Sequence, residues 1–479
     1  MLTSRLAQHL GGTLLLGSDD DIVTLCHDSR ACAPGCAYFA FKGIHFDGED
    51  FIGEAIARGA SLVVCSTRHP DLESSASFII LADGDVRHAY AVASDALFSH
   101  PSGRISLIGA TGTDGKTSTC HYIHQLLRKR GKRCGLLSTT SVDEGDGMMP
   151  SPYANTTPEA FDVQRTIAKA ADGGAGHFVL ECSSHALDRR YDRLAGCIFS
   201  SSCFTRITSE HLEFHGTWDD YVDSKLNLAR RTRGPVFVYD DNPVLERLKT
   251  ICPHSLVVLT RPEVVDRDGD GLDFVHEGHR YHLPFFPDFA LENAWMAALL
   301  VSTLTHTPPA LVLCDLANLV NPPGRQEMMS IAGRLVVIDF AHTPDAFDRL
   351  MTSLRLVHPS GSFIALFGAS GNRDRSKRRL MGDVAARHCS TVILTEDDPR
   401  QEDVMDICND IADGIEPGRC RLRICPQRSK AVEEAVRLSR AGDVVLLLGV
   451  GPQKALDHYT YHMPWNERQA VLDAFKEVL

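Results

Sequence analysis

The chain has 479 residues, of which 43% are hydrophobic and 23% charged. That is the balance of a globular protein of roughly three domains at ~150 residues each, with apolar material for several cores. A formal net charge of -13 excludes a protein that wraps nucleic acid, since such binding needs a basic surface to displace counterions.

From the amino end, residues 1–10 carry Arg5, Gln8 and His9 and lack a continuous apolar stretch, so no signal peptide is expected. Strand-like runs follow at 37–41, 61–65 and 78–81, with a helical stretch after Asp47-Gly48 that runs through Ile56 to Arg58. His100-Pro101-Ser102-Gly103 predicts a linker, punctuated by Pro and Gly. Short apolar runs of buried-strand type come next, at 105–109, 178–180, 197–199 and 236–239, with helical patterns between some of them. Strands alternating with helices imply βαβ units and a mainly parallel sheet. The last section opens near Gly324-Arg325, with strands expected at 335–338, 363–367, 392–395 and 444–448 and helices at 343–356 and 429–439. Thr343-Pro344-Asp345 is a helix start: an N-cap hydroxyl, Pro at N1 and an acid in the first turn. No apolar run is long enough to span a bilayer, so no membrane insertion is expected. The 15 cysteines are scattered without a C-x-x-C pair, which predicts reduced thiols and a cytoplasmic setting.

Directly after the 105–109 run stands Ala110-Thr111-Gly112-Thr113-Asp114-Gly115-Lys116-Thr117, then Ser118 and a helical pattern from His121 through Lys129. This is a Walker A loop, G-x-x-x-x-G-K-[ST], with Ala110 in place of the first glycine. Strand before and helix after is the context in which backbone N–H groups of 112–118 and a helix N-terminus face phosphates. Lys116 neutralises β/γ charge and the Thr117 hydroxyl can hold Mg2+. A plain glycine turn does not account for Gly112, Gly115 and a strand-bounded Lys-Thr together; the predicted ligand is a nucleotide, and the loop alone does not separate kinase, ATPase and ligase. The expected fold class is α/β in three domains: an N-terminal α/β domain over 1–102, a central P-loop ATPase-type parallel sheet over 103–324 and a C-terminal Rossmann-like domain over 325–479.

The T-G-T-x-G-K-T form of the loop resembles that of the Mur ligases, and ordered matches run through nearly the whole chain. Asp28-Ser29-Arg30, Pro34-Gly35, 39–43 and Asp47-Gly48 resemble the family's uridine-nucleotide domain; Asn155-Thr156-Thr157-Pro158 resembles its N-T-T-P. Glu181-Cys182-Ser183-Ser184-His185-Ala186-Leu187 follows E-x-S-S-H-A-L, and Glu210-His211-Leu212-Glu213-Phe214-His215-Gly216 resembles D-H-L-D-Y-H-G. Asp339-Phe340-Ala341-His342-Thr343-Pro344 resembles D-Y-A-H-T-P, and Gly371-Asn372-Arg373-Asp374 with Lys377-Arg378 and Met381-Gly382 resembles G-x-R-D-x-x-K-R-x-x-M-G. Within the family the likeness is to the branch that adds the third amino acid of the peptidoglycan stem peptide.

The resemblance implies an ATP- and Mg2+-dependent amide ligase acting on UDP-N-acetylmuramoyl-L-alanyl-D-glutamate through an acyl phosphate. It implies that Glu181 holds Mg2+ with Thr117, that His211 contacts a second Mg2+, and that Lys225, which shares a helix face with Tyr221, is carbamylated. Asn293, Arg325 and Asp339 are implied ATP contacts, and Gly324-Arg325 an implied hinge. Ser29, Arg30, Asn155, Thr156, Thr157, Ser183 and Arg193 are implied contacts to the nucleotide-sugar substrate; Arg193 stands two residues further from Ser184 than in the family. A related ligase such as folylpolyglutamate synthase, or a Mur-like scaffold without ligase chemistry, is the alternative.

The family reads the incoming amino acid with a D-N-P-R motif and with G-K-G-H-E. Here the first is Asp397-Asp398-Pro399-Arg400 and the second Gly449-Val450-Gly451-Pro452-Gln453. Arg400 can grip a carboxylate in two-point fashion; Asp398 puts an anion where the family has an amide, and Gln453 lacks the family's charge. Two readings stay open: Arg400 holds the distal carboxylate of meso-diaminopimelate, or it holds an α-carboxylate while Asp397 or Asp398 takes the ammonium of L-lysine or L-ornithine. The two departures favour the simple basic diamino acid.

Overall fold

The computed structural model describes residues 1–15, 17–43, 46–81 and 85–478. The chain forms two compact units, one of Met1–Gly112, Leu127–Thr205 and Val222–Leu259, the other of Thr113–Leu126, Arg206–Tyr221 and Thr260–Leu479. Among the described residues no helix is long and apolar enough to cross a membrane.

The first unit holds two sheets. The N-terminal one orders its strands Thr13–Leu15, Ser77–Ile80, Ala60–Cys65, Cys36–Phe39, Thr24–Cys26, parallel except for the first. The helix Asp85–Leu97 covers it and packs on Ala160–Asp172, so Ala89, Ala93, Ala160 and Ala195 share a core. The expected linker at His100–Gly103 is instead part of this packing. Pro101 and Ser102 are buried, and the Ser102 hydroxyl accepts from Ile198 N at 3.2 Å and donates to Gly196 O at 3.3 Å. Pro and Gly mark a turn equally well whether its surroundings are solvent or core, which is why the sequence read it as a joint.

The second sheet has eight strands, in the order Leu256–Leu259, Val236–Tyr239, Ser201–Phe204, Ser106–Thr111, His177–Glu181, Cys134–Leu137, Ser141–Asp143, Met148–Pro150. The first six are mutually parallel and the last two antiparallel. The run expected at 197–199 is not a strand; only Phe199 makes an isolated bridge, to Thr232, and the strand lies at Ser201–Phe204. Its serines hid it, because Ser201 and Ser202 are fully buried yet polar.

In the second unit a six-stranded sheet runs Glu327–Ile331, Arg334–Asp339, Val444–Leu448, Phe363–Phe367, Thr391–Leu394, Arg421–Ile424, parallel after its first antiparallel pair. Both faces are covered: Val444, Leu446 and Leu448 enter one core, Val445 and Leu447 the other. That is why these strands read as unbroken apolar runs. Thr343 caps Pro344–Val357 as expected, accepting from Ala346 N. A three-stranded antiparallel sheet, Glu263–Arg267, Leu272–His276 and His279–Leu283, had no counterpart in the sequence reading.

Candidate active site

The strand Ser106–Thr111 ends in the glycine loop, and the helix Lys116–Lys129 begins at its lysine. Gly115 has φ +87°, and a Cβ there would sit 2.4 Å from Asn293 Oδ1. Only glycine lets the loop lie against Asn293. Thr113 is held on every side: its N donates to Arg206 O at 2.7 Å, its hydroxyl donates to Thr208 O at 2.9 Å and accepts from Thr208 N at 2.9 Å. With that hydrogen spent, Tyr221 is the donor in the 2.7 Å bond between the two hydroxyls. Lys116 Nζ curls back to Thr113 O at 2.7 Å. Ser118 is buried in the first turn.

Arg325 reaches the same helix start, its Nη2 3.4 Å from Thr117 Oγ1, while its guanidinium lies over the Phe340 ring at 4.3 Å. Asp339 ends the Arg334–Asp339 strand, accepting from Gln326 N and Ala341 N, both at 2.7 Å, and burial raises its pKa from the ordinary carboxylate value. Gly324, the expected hinge, has φ +65° and lies so close to the 451–452 turn that a Cβ would meet Pro452 N at 2.3 Å.

Glu210 and His342 join this neighbourhood, though the sequence reading gave neither a role. His342 Nε2 is 2.8 Å from Glu210 Oε1, and its Nδ1 is 2.8 Å from Phe340 O. His211 has φ +57° and lies between carboxylates, 3.6 Å from Glu210 and 3.7 Å from Glu213. Burial works against the Glu210 anion, but His211 and His342 outweigh it and hold its carboxyl well below the usual range. Arg206 pairs with Asp345 at 2.8 Å. The signal for Glu210 and His342 lay inside the E-H-L-E-F-H and D-F-A-H-T-P stretches, but only folding shows that they meet.

In the first unit Glu181 stands at the carboxyl end of its strand, in register with Ala110. Its side chain is 1% exposed, and Oε2 accepts from Thr139 N at 2.8 Å and from the Thr139 hydroxyl at 3.0 Å. The Thr157 hydroxyl donates to Glu181 O at 2.7 Å and accepts from Ser183 N at 3.0 Å, tying N-T-T-P to the E-x-S-S-H turn. Thr139 also bonds the Thr156 hydroxyl at 3.1 Å, and Asn155 is exposed. Ser183 caps the turn Ser184–Leu187. Arg193, despite its displaced spacing, lands on this loop: it donates to Thr157 O at 2.9 Å and pairs with Glu159 at 2.7 Å. Lys225, in the helix Trp218–Arg230, is 1% exposed, and its Nζ donates to Gly112 O at 2.6 Å. Ser29 and Arg30 each have a local partner. Ser29 is buried with its hydroxyl on Glu54 at 2.7 Å, and Arg30 forks onto Asp28 with its side chain 79% exposed.

In the 397–400 segment Asp398 is bonded within the fold. Its Oδ2 accepts from Gln453 Nε2 at 2.9 Å and its Oδ1 from Asp457 N at 2.9 Å. Asp397 packs on Gly449, where φ is +96° and a Cβ would lie 2.6 Å from Asp397 Oδ2. Burial, then the charge of Asp398, push the Asp397 carboxyl up to about 6. Arg400 has φ +52°, and its N donates to Asp457 O at 2.9 Å.

Comparison with known proteins places these groups in context. Family models described as Mur ligase family catalytic domain, Mur ligase middle domain and Mur ligase glutamate ligase domain match residues 21–96, 110–301 and 324–451. The chain is 32% identical to a UDP-N-acetylmuramyl-tripeptide synthetase of Borrelia garinii subsp. bavariensis, over 99% of this chain and 96% of that protein. It is 33% identical to a UDP-N-acetylmuramoyl-L-alanyl-D-glutamate--2,6-diaminopimelate ligase of Geobacillus kaustophilus, over 94% and 93%. A solved structure of a ligase with that last name superposes with a TM-score of 0.61 at 25% identity, covering 95% of each chain.

Proposed function

We propose, from the premise that this chain belongs to the Mur ligase family, that it is an ATP-dependent ligase adding a diamino acid to UDP-N-acetylmuramoyl-L-alanyl-D-glutamate for peptidoglycan. The observation that carries this is likeness to tripeptide synthetases over 99% of the chain. The domains are placed at 1–102, 103–324 and 325–479; the three family matches fall almost wholly one within each.

The reaction transfers the γ-phosphoryl of ATP to the substrate carboxylate, releasing ADP. The amine then attacks the acyl phosphate and phosphate leaves. The protein's part is positioning and neutralisation of charge. Gly112 to Ser118 present N–H groups to the phosphates, Lys116 swings from Thr113 O to the β/γ oxygens, and Arg325 adds a second cation beside Thr117. Asn293 seats the loop, and Asp339 takes the ribose. Ser29, Arg30, Asn155, Thr156, Thr157, Ser183 and Arg193 take the nucleotide-sugar peptide.

Mg2+ takes hard oxygen donors, and the buried Glu181 carboxylate, oriented by Thr139, fits that chemistry. By the family resemblance Glu181 and Thr117 would hold one Mg2+ and His211 would contact a second; when bound, Mg2+ neutralises charge on the transferring phosphoryl. A carbamate on Lys225 keeps one N–H, so the bond to Gly112 O survives while an anionic oxygen is gained.

Asp397, Arg400 and Gly449 border the place for the amino acid. The pairing of Asp398 with Gln453 favours meso-diaminopimelate over the sequence's lean to L-lysine or L-ornithine. The family's amide and carboxylate have exchanged places between 398 and 453, so the pocket keeps its charge. The test is release of ADP and phosphate from ATP, Mg2+ and UDP-N-acetylmuramoyl-L-alanyl-D-glutamate with each diamino acid in turn, with product mass checked. Turnover with meso-diaminopimelate alone is expected. Turnover only with L-lysine or L-ornithine overturns the assignment of the amine, and no turnover with any of the three overturns the ligase.

A further inference from the structure

Three cysteines converge in the N-terminal sheet. Cys26 ends the strand Thr24–Cys26, Cys36 begins its parallel neighbour Cys36–Phe39, and Cys32 follows the tight turn Ser29–Ala31 between them. Their three Sγ atoms all lie within 4.8 Å of one another. Among the described residues this is the only group of three or more His, Cys, Asp or Glu side chains drawn together so closely. Twelve further cysteines are scattered elsewhere, none of them joined in a disulfide.

From this geometry we infer that Cys26, Cys32 and Cys36 form a three-thiolate site for a soft d10 cation, Zn2+ or Cu+. Thiolates select such ions, whereas Mg2+ takes hard oxygen. A Zn–S bond of about 2.3 Å spaces sulfurs about 3.8 Å apart when tetrahedral and about 4.0 Å apart when trigonal. Closing from 4.8 Å therefore asks each sulfur to move by less than about 1 Å. The scaffold is fixed on both sides. The two strands are held in register, Thr24 with Cys36 and Cys26 with Tyr38. The turn is closed by Asp28, whose Oδ1 accepts from Arg30 N at 3.0 Å, and by Cys32 N donating to Ser29 O at 3.1 Å.

The surroundings suit a metal with an entry path. Cys32 and Cys36 are buried in a core with Tyr38, Ala40 and Ile52. Cys26 is partly exposed, at the rim. The fourth position therefore opens outward, toward water or a ligand. Binding releases the protons of whatever thiols are neutral, and no electrons move. The site brackets Asp28-Ser29-Arg30, so a bound ion would stiffen that turn. Three thiols that merely pack at the edge of the core are the opposing account.

The experiment uses the full-length chain, reduced, chelator-treated and kept free of oxygen. Cd2+ alone is titrated in, following thiolate-to-metal absorption in the ultraviolet. The cysteines are then alkylated and mapped by mass spectrometry, with and without Cd2+. One equivalent is expected to bind tightly and to protect Cys26, Cys32 and Cys36 from alkylation, with Zn2+ competing for it. Cys26→Ser, at the rim, is expected to keep its melting temperature and to weaken Cd2+ binding by roughly tenfold or more. The site is overturned if Cys26 in the wild-type chain alkylates equally fast with and without Cd2+. It is overturned equally if the absorption titrates unchanged in Cys26→Ser. The mapping on unmutated protein keeps the test decisive even if a variant misfolds.

Discussion

The phosphate loop and the 397–400 segment are built by different means. The loop is built from backbone: glycine dihedrals, N–H groups at a helix start and a carbonyl that parks Lys116. The acceptor segment is built from side chains in mutual contact, Asp398 with Gln453 and Asp397 against Gly449. A backbone site is spelled by the few residues that permit its dihedrals, so its sequence is constrained position by position. A side-chain pair is constrained only as a pair, since amide and carboxylate can trade places and still make one hydrogen bond.

The largest effect should come from Lys116→Ala. It should cost roughly 10³-fold in turnover, about 4 kcal/mol of transition-state stabilisation, with the melting temperature little changed; steady-state ADP release reads it. Next is Gly115→Ala, whose methyl would meet Asn293 Oδ1 at 2.4 Å in a backbone of φ +87°. A loss of roughly 10²-fold is expected. Pairing it with Asn293→Ala should recover little, because the dihedral is still wrong. Full rescue would break the contrast between the two regions, by showing a side-chain site where a backbone one is claimed.

The acceptor segment should behave oppositely. Gln453→Glu sets a carboxylate against Asp398, and Asp398→Asn leaves one acceptor oxygen for two donors. Each should raise KM for the amino acid by roughly 10-fold or more. The double variant should recover most of it, because the amide introduced at 398 would donate to the carboxylate introduced at 453 and still accept from Asp457 N. A coupling energy of about 1–3 kcal/mol is expected from the cycle; additive losses would refute the exchange.

The last effect is in pH. The Asp397 carboxyl is raised to about 6 in the folded chain, so the fold favours its protonated form. Its contribution to stability is present below the ordinary carboxylate value and is lost as pH rises through about 6. Asp397→Asn should therefore stabilise the protein above that pH, on the order of 1–3 kcal/mol, and not at pH 4, as denaturant melts at the two pH values would show. An ammonium substrate needs the anion, so KM for the amino acid should rise as pH falls below about 6 in the unmutated chain.

Much was legible beforehand. The strands Val236–Tyr239, Phe363–Phe367 and Val444–Leu448 were read with their observed bounds, because a doubly covered parallel strand is apolar at every position. Ser201–Phe204 was missed because two of its buried residues are serines, and the sheet of 263–283 because its faces alternate with exposed polar positions. Lys116, Glu181 and Lys225 were picked out by local motif. Glu210 with His342, and Tyr221 on Thr113, join residues more than 100 positions apart, and no local pattern carries that pairing.

The sequence by itself determined the α/β class, the phosphate loop and the family, because these rest on periodicity, glycine dihedrals and ordered short motifs. Only the tertiary structure decided that Asp398 answers to Gln453, that Arg193 reaches Thr157 despite its spacing, and that three separated cysteines converge. Distance along the chain says nothing about distance across a sheet; the register of neighbouring strands and the turns at their ends set which side chains meet.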